Sequence, residues 1–204
     1  AIRVGIPQDS TYRSHVLGES ERYLVASPRY FERPGNPYLT PEGYNWPDNA
    51  ERFALFCRAA ATLAMDECGL DWKPDLVHAN DWQTGLLAPL LQGRGGRPAT
   101  LFTIHNLAYQ GVFWHWDMLL TGLDWKYFNW HQMEYHDRLN LLKTGIVFAD
   151  SINTVSPRYA QEIQTHPHGC GLDGVLSQRR DVLSGLVNGV DYRIWDPAAD
   201  PHLP

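Results

Sequence analysis

From Phe53 onward the apolar residues Phe53, Phe56, Cys57, Ala60, Ala61 and Ala64 recur every three or four positions, the period of one face of an α-helix. Asp48 and Glu51 stand just before that stripe at capping-box spacing, and Gly69 is a suitable stop. The pattern predicts a helix over 48–68. Upstream, residues 2–6 and 23–26 read as short strands. The intervening stretch RYFERPGNPYLTPEGYNWPDN is a turn-rich loop, punctuated by Pro34-Gly35 and Pro47-Asp48.

Beyond the helix, short apolar runs alternate with helical patterns. DLVHA (75–79), ATLFTI (99–104), SINTV (151–155) and VLSGLV (182–187) fit buried strands. WQTGLLAPLLQ (82–92) and DRLNLLKTGIVFAD (137–150) read as helices, the first closed by the turn GRGGRP. Ser156 followed by Pro157 gives an N-cap and a first-turn proline, opening a helix through about Gln164. Alternating strands and helices predict the α/β class: a Rossmann-like parallel sheet with helices on both faces. The tail WDPAADPHLP (195–204) reads as a linker, so the expected division is a domain over 1–190 and the start of a linker over 191–204.

Composition narrows the partners. Of 204 residues, 44% are hydrophobic and 20% charged, with a net charge of -6. A mildly acidic chain without a basic block is unsuited to phosphate backbones, so no nucleic-acid partner is expected. No apolar run approaches the ~18 residues that span a bilayer, so no membrane partner is expected either. The 3 cysteines, Cys57, Cys68 and Cys170, form no CxxC pair, and no metal or other cofactor is expected. The opening AIRVGIPQDS lacks the features of a signal or transit peptide and reads as a strand already under way, with an upstream βα unit expected to be missing. The 8 Trp and 10 Tyr can pack a core or stack on the apolar faces of sugars.

In open α/β sheets, ligands bind beyond the carboxyl ends of the strands. Applied here, that rule gathers Asn80, Asp81 and Trp82, then His105 and Asn106, then Ser156, then Asn188 and Gly189. Each has a plainer reading. Asp81 either caps the following helix or serves the cleft; His78 reads as a core or supporting residue; Ser156 reads as an N-cap; Asn188-Gly189 is a turn or part of the cleft wall. His105 beside Asn106 is the strongest functional candidate. Residues 169–174, GCGLDG, match GxGxxG, but the dinucleotide fingerprint needs a strand immediately before it, and here a helix and THPH precede it. His131 with His136, and His166 with His168, are poorly spaced for metal ligation.

The blocks HANDWQTGLLAPLL (78–91), FTIHNLAYQGVF (102–113), LLKTGIVFADSINTVSPRYAQEI (141–163), GCGLDGVL (169–176) and LVNGVD (186–191) together resemble bacterial glycogen synthases and plant starch synthases. RPGNPYL (33–39) and DNAERFALF (48–56) match as well, and the resemblance covers about residues 28–196. It implies the N-terminal half of a GT-B fold, two Rossmann-like domains facing across a cleft. It implies transfer of glucose from ADP-glucose to the non-reducing end of an α-1,4-glucan with retention of configuration and without a metal. It also implies a cytoplasmic protein in a bacterium, or a plastid one in a plant.

Carried onto this sequence, the resemblance makes His105 a contact to the donor glucose and Asp81 its neighbour in the catalytic pocket. Tyr38 becomes a substrate contact, Asn106 and Asn188 parts of the cleft wall, and Gly169 and Gly171 parts of a loop facing it. The sequence departs from the family in lacking the Lys-x-Gly-Gly loop after the first strand, and Asn80 and Gln83 stand where many bacterial members have histidine. The resemblance places the basic residues that neutralise the diphosphate in a C-terminal domain. The chain alone is therefore expected to be inactive, and a non-catalytic glucan-binding domain or a GT-B enzyme for another sugar nucleotide are the alternatives.

Overall fold

The computed structural model describes residues 2–4, 24–191, 195, 196, 198 and 200. In chain order the elements are β1 (Ile2–Val4), β2 (Leu24–Val25), α1 (Pro28–Phe31), α2 (Asn49–Ala64), β3 (Leu76–Asn80), α3 (Leu87–Leu91), β4 (Ala99–Ile104) and β5 (Val112–Trp114). They continue with α4 (Met118–Thr121), β6 (Arg138–Asn140), α5 (Leu141–Phe148), β7 (Ser151–Thr154), α6 (Pro157–Glu162), α7 (Asp173–Gln178) and β8 (Leu183–Gly185).

The central sheet has the order β3-β4-β7-β8. All three pairings are parallel, running from Leu76↔Ala99 to Asn80↔Thr103, from Leu101↔Ser151 to Ile104↔Thr154, and from Ile152↔Leu183 to Thr154↔Gly185. The expected α/β class stands. One face of the sheet carries Ala79, Phe102, Ile104 and Ile152, all buried. Helix α5 lies on that face: a Cβ added to Gly145 would come within 2.4 Å of the Phe102 ring. The alternate positions put His78, Thr103 and Asn153 side by side on the other face. There the His78 Nε2 and Thr103 Oγ1 are 2.6 Å apart, and the Thr103 hydroxyl donates to Asn153.

Several element boundaries differ from the sequence reading, each for a local reason. The helix expected over 48–68 is α2, which ends at Ala64 and is followed by Asp66 at φ 57. No capping box forms: the Asp48 carboxylate accepts from Nη1 and Nη2 of Arg33, at 2.9 and 3.0 Å, and Glu51 accepts the Tyr30 hydroxyl. The helix expected over 82–92 splits into a 3-10 turn, Trp82–Thr84, and α3. Most of the first turn expected over 137–150 is strand β6, paired antiparallel with β5. Its last residue, Asn140, then caps α5 by accepting the Lys143 N–H at 2.8 Å. Ser156 does cap α6, accepting the Tyr159 N–H at 2.9 Å ahead of Pro157. The last strand shrinks to Leu183–Gly185, and α7, unforeseen, follows the GCG loop. Of the two first strands, β1 and β2 pair antiparallel, while residues 5, 6 and 23 lie outside the described residues. So does most of the expected linker over 195–204.

Candidate functional site

The site grows out of the carboxyl ends of β3 and β4. Asn80 is the last rung of β3, paired with Thr103, and Asp81 adds one bond by donating its N–H to the Thr103 carbonyl at 2.9 Å. The chain then leaves the sheet with Asp81 at φ 55 and ψ -175, a backbone region open to glycine and costly for other residues. The Asp81 side chain makes no cap to the turn that follows. Its carboxylate instead accepts the backbone N–H of His105 at 2.7 Å. The His105 ring is met by Asn80, whose Oδ1 lies 3.1 Å from Nε2. Two successive residues of one strand end thus hold the backbone and the ring of the residue that ends the next strand.

Asn106 shapes the loop beyond. Its Oδ1 accepts the Ala108 N–H at 3.0 Å and its carbonyl accepts the Tyr109 N–H at 3.2 Å, a turn that presents Tyr109, which is 68% exposed. Opposite stands Tyr38. Its carbonyl accepts from the Trp46 N–H and the Asn49 amide, both at 3.0 Å, and its hydroxyl accepts from Gln83 Nε2 at 2.9 Å. Buried Arg52 braces the same loop by donating to the Pro37 carbonyl at 2.9 Å, and burial lowers its pKa from the ordinary guanidinium value.

Between these loops lies a cavity of about 480 Å³ lined by Tyr38, Asp81, Trp82, Gln83, Asn106 and Tyr109 among others. A second, of about 460 Å³, shares Tyr38, Trp82 and Tyr109 and continues to Trp46, Gln110 and Phe113. Trp82 floors both. Its ring sits against Phe53 at 4.7 Å, Phe113 at 5.6 Å and Tyr38 at 6.0 Å between centroids. Gly111, at φ +59, makes that approach possible, because a Cβ there would fall 2.3 Å from the Trp82 ring. Neither lining contains a lysine or arginine among the described residues. No group of three or more His, Cys, Asp or Glu among the described residues could hold a metal ion.

Of the residues singled out in the sequence, Tyr38, Asp81 and Asn106 converge on the first cavity, and His105 is bonded to Asp81 beside it. Gly169 and Gly171 line neither cavity. Their loop packs against Asp173 and the Tyr135 hydroxyl, and it touches the second cavity's wall through Gln110 Nε2, which donates to the Cys170 carbonyl at 3.0 Å. Asn188, exposed after β8, also lines neither. Sequence reasoning missed Tyr109, Gln110 and Trp46. Tyr109 and Gln110 lie three and four residues beyond Asn106, and an aromatic so close behind a strand end was the available signal.

A family model described as the starch synthase catalytic domain matches residues 2–178. The chain belongs to the starch synthase catalytic domain family. It is 54% identical over 182 residues to glycogen synthase 1 of Methylococcus capsulatus and 53% identical over 186 residues to glycogen synthase 2 of Nitrosococcus oceani. Those alignments cover 89% and 91% of this chain but 37% and 38% of the relatives, so the chain spans little more than a third of their length. Among solved structures it is similar to the catalytic domain of starch synthase IV from Arabidopsis thaliana bound to ADP and acarbose. That likeness has a TM-score of 0.66 and 35% identity, over 78% of this chain and 33% of the other. The strand ends that carry His105 and Asp81, and the Tyr38 loop, all fall inside the stretch matched by this starch synthase family.

Proposed function

We propose that this chain is the acceptor-supporting half of a glycogen or starch synthase, which transfers glucose from ADP-glucose to the non-reducing end of an α-1,4-glucan with retention of configuration. The observation that carries the reading is the Asp81–His105 hydrogen bond beside an aromatic-floored cavity. It holds the His105 backbone at a strand end of a starch synthase family domain, while Asn80 meets the ring, next to a cavity that offers faces to sugar rings. Trp82 and Tyr109 offer apolar faces to pyranose rings, while Asn106, Gln83 and the Tyr38 hydroxyl offer hydrogen bonds to their edges.

In such a transfer the leaving diphosphate gains negative charge as the glucosyl carbon gains positive charge. Groups already held in place stabilise that change at little reorganisation cost. His105 would hold the donor sugar by a hydrogen bond, Asp81 would keep the His105 backbone still, and the aromatic floor would exclude water that could hydrolyse the donor. Among the described residues the linings hold no lysine or arginine to neutralise a diphosphate, which supports a division of labour: this half offers sugar contacts, and the rest of the enzyme holds the nucleotide.

The test is incorporation of labelled glucose from ADP-glucose into glycogen by the complete two-domain enzyme, its His105→Ala variant and the 204-residue chain. Transfer by the complete enzyme, a fall in turnover larger than any loss of ADP-glucose binding in the variant, and no transfer by the chain alone are expected. A complete enzyme that transfers glucose from another sugar nucleotide and not from ADP-glucose would overturn the donor assignment.

A further inference from the structure

His105 has two different partners, and they divide their work unusually. The carboxylate, Asp81, bonds the backbone N–H, while the ring faces a neutral amide, Asn80. An amide oxygen facing a ring nitrogen accepts a hydrogen bond from it, and so selects the tautomer that carries its proton on that nitrogen. Nε2 lies 3.1 Å from the Asn80 Oδ1, and a carbonyl oxygen can only accept. No described residue makes a hydrogen bond to Nδ1 of His105. The Asn80 backbone is the terminal rung of β3, and its own carbonyl accepts the Thr84 hydroxyl at 2.8 Å, so the amide is delivered from a fixed base.

We infer that Asn80 is a positioning residue that selects the His105 tautomer protonated on Nε2, leaving Nδ1 as the hydrogen-bond acceptor for a sugar hydroxyl. The inference rests on the reading of the cleft as a sugar-transfer site. In that arrangement His105 receives a hydrogen bond from the donor sugar and does not protonate it. The selected substrate group is then a hydroxyl, a donor, and an ether or a deoxy sugar at the same position loses the contact. Asn80, the last rung of β3, is then the residue that decides which hydrogen-bonding sense His105 presents.

Two measurements separate this inference from the proposed reaction. The first uses the 204-residue chain labelled with 15N-histidine, in long-range proton–nitrogen spectra at a pH where histidine is neutral. The His105 signal, identified by its absence in His105→Gln, should show protonated Nε2 and unprotonated Nδ1. In Asn80→Leu it should move toward an average of both tautomers. A His105 protonated on Nδ1, or a pattern unaltered in Asn80→Leu, would overturn the assignment whatever the enzyme does.

The second uses the complete two-domain enzyme in a double-mutant cycle. Asn80→Leu should lower kcat roughly tenfold, the weight of about one hydrogen bond, with the glucan KM nearly unchanged. On a His105→Ala background the same change should cost little more, because Asn80 acts through the missing ring. Losses that multiply independently would show Asn80 acting by another route and would overturn the inference. If the enzyme transfers no glucose, the proposed reaction falls, and the tautomer spectra alone decide the role of Asn80.

Discussion

The carboxylate of Asp81 and the backbone amide of His105 are joined at 2.7 Å across adjacent strand ends, although Asp81 must hold a glycine-like backbone conformation to do it. Such a conformation costs a non-glycine residue about 1–3 kcal/mol, close to what a hydrogen bond to a charged acceptor returns. Asp81→Gly should therefore leave stability within about 1 kcal/mol of the parent while turnover by the complete enzyme falls at least roughly tenfold. Asp81→Ala, which loses the bond and keeps the strain, should be clearly less stable. Urea melts of the two variants beside glucose-transfer assays check both halves.

Gly111→Ala should be among the most damaging small changes. It forces a side chain into a positive-φ position and into the Trp82 ring at once. A loss of about 2–4 kcal/mol is expected from combined strain and overpacking. Because Trp82 floors both cavities, its fluorescence should shift along with the melt.

The three thiols should differ sharply. Cys57 is fully buried, its Sγ lies 3.2 Å from the Gln83 carbonyl, and burial pushes its pKa up to about 12. Cys68 and Cys170 are exposed. Titration with a thiol-specific chromogenic disulfide should count two thiols in the native chain and three in denaturant.

Asp150 sets an acid limit. Arg97 holds its carboxylate with two bonds of 2.7 Å, the Thr100 amide and hydroxyl add two more, and these hold its pKa far below the usual carboxylate range. A depressed carboxyl pKa stabilises the fold above the unfolded value, about 4, and that contribution disappears as pH falls through the native value. The side chain is 41% exposed, so water screening reduces its worth to roughly 1 kcal/mol, or about 2–4 °C in Tm. Asp150→Asn should show that deficit at pH 6–7, and the gap should close as pH drops below about 4. A gap independent of pH would assign the effect to packing.

Strand identity was legible because buried parallel strands read as short apolar runs, and DLVHA, ATLFTI and SINTV are such runs. The strand-end rule then placed Asp81, His105 and Asn106 together without any tertiary information. What stayed hidden depended on partners distant in sequence. The capping box at Asp48 and Glu51 fails because Arg33 and Tyr30 claim the two carboxylates. The Arg138–Asn140 strand was hidden because its partner, Val112–Trp114, lies across a long excursion with no tight-turn signal. Tyr38 was reached through family resemblance, since nothing local in its proline-rich loop reveals that Gln83 and Trp82 will hold it.

That excursion bears on how the sheet can assemble at all. The central seam pairs β4 with β7, and its members Ile104 and Thr154 are 50 residues apart. A loop of that length carries a larger closure entropy than a tight crossover, and non-local pairings slow folding. The excursion is tied at its neck, however: Leu141 and Leu142 donate their amides to the carbonyls of Gly111 and Gln110, at 3.1 and 3.0 Å. Once those two bonds and the β5–β6 ribbon form, the segment from Gly111 to Leu141 becomes a closed appendage. The chain that must still be ordered between the two strands is then only the Tyr109-bearing loop and α5. The loop that walls the cavity is thus also the tether that shortens the path to the sheet.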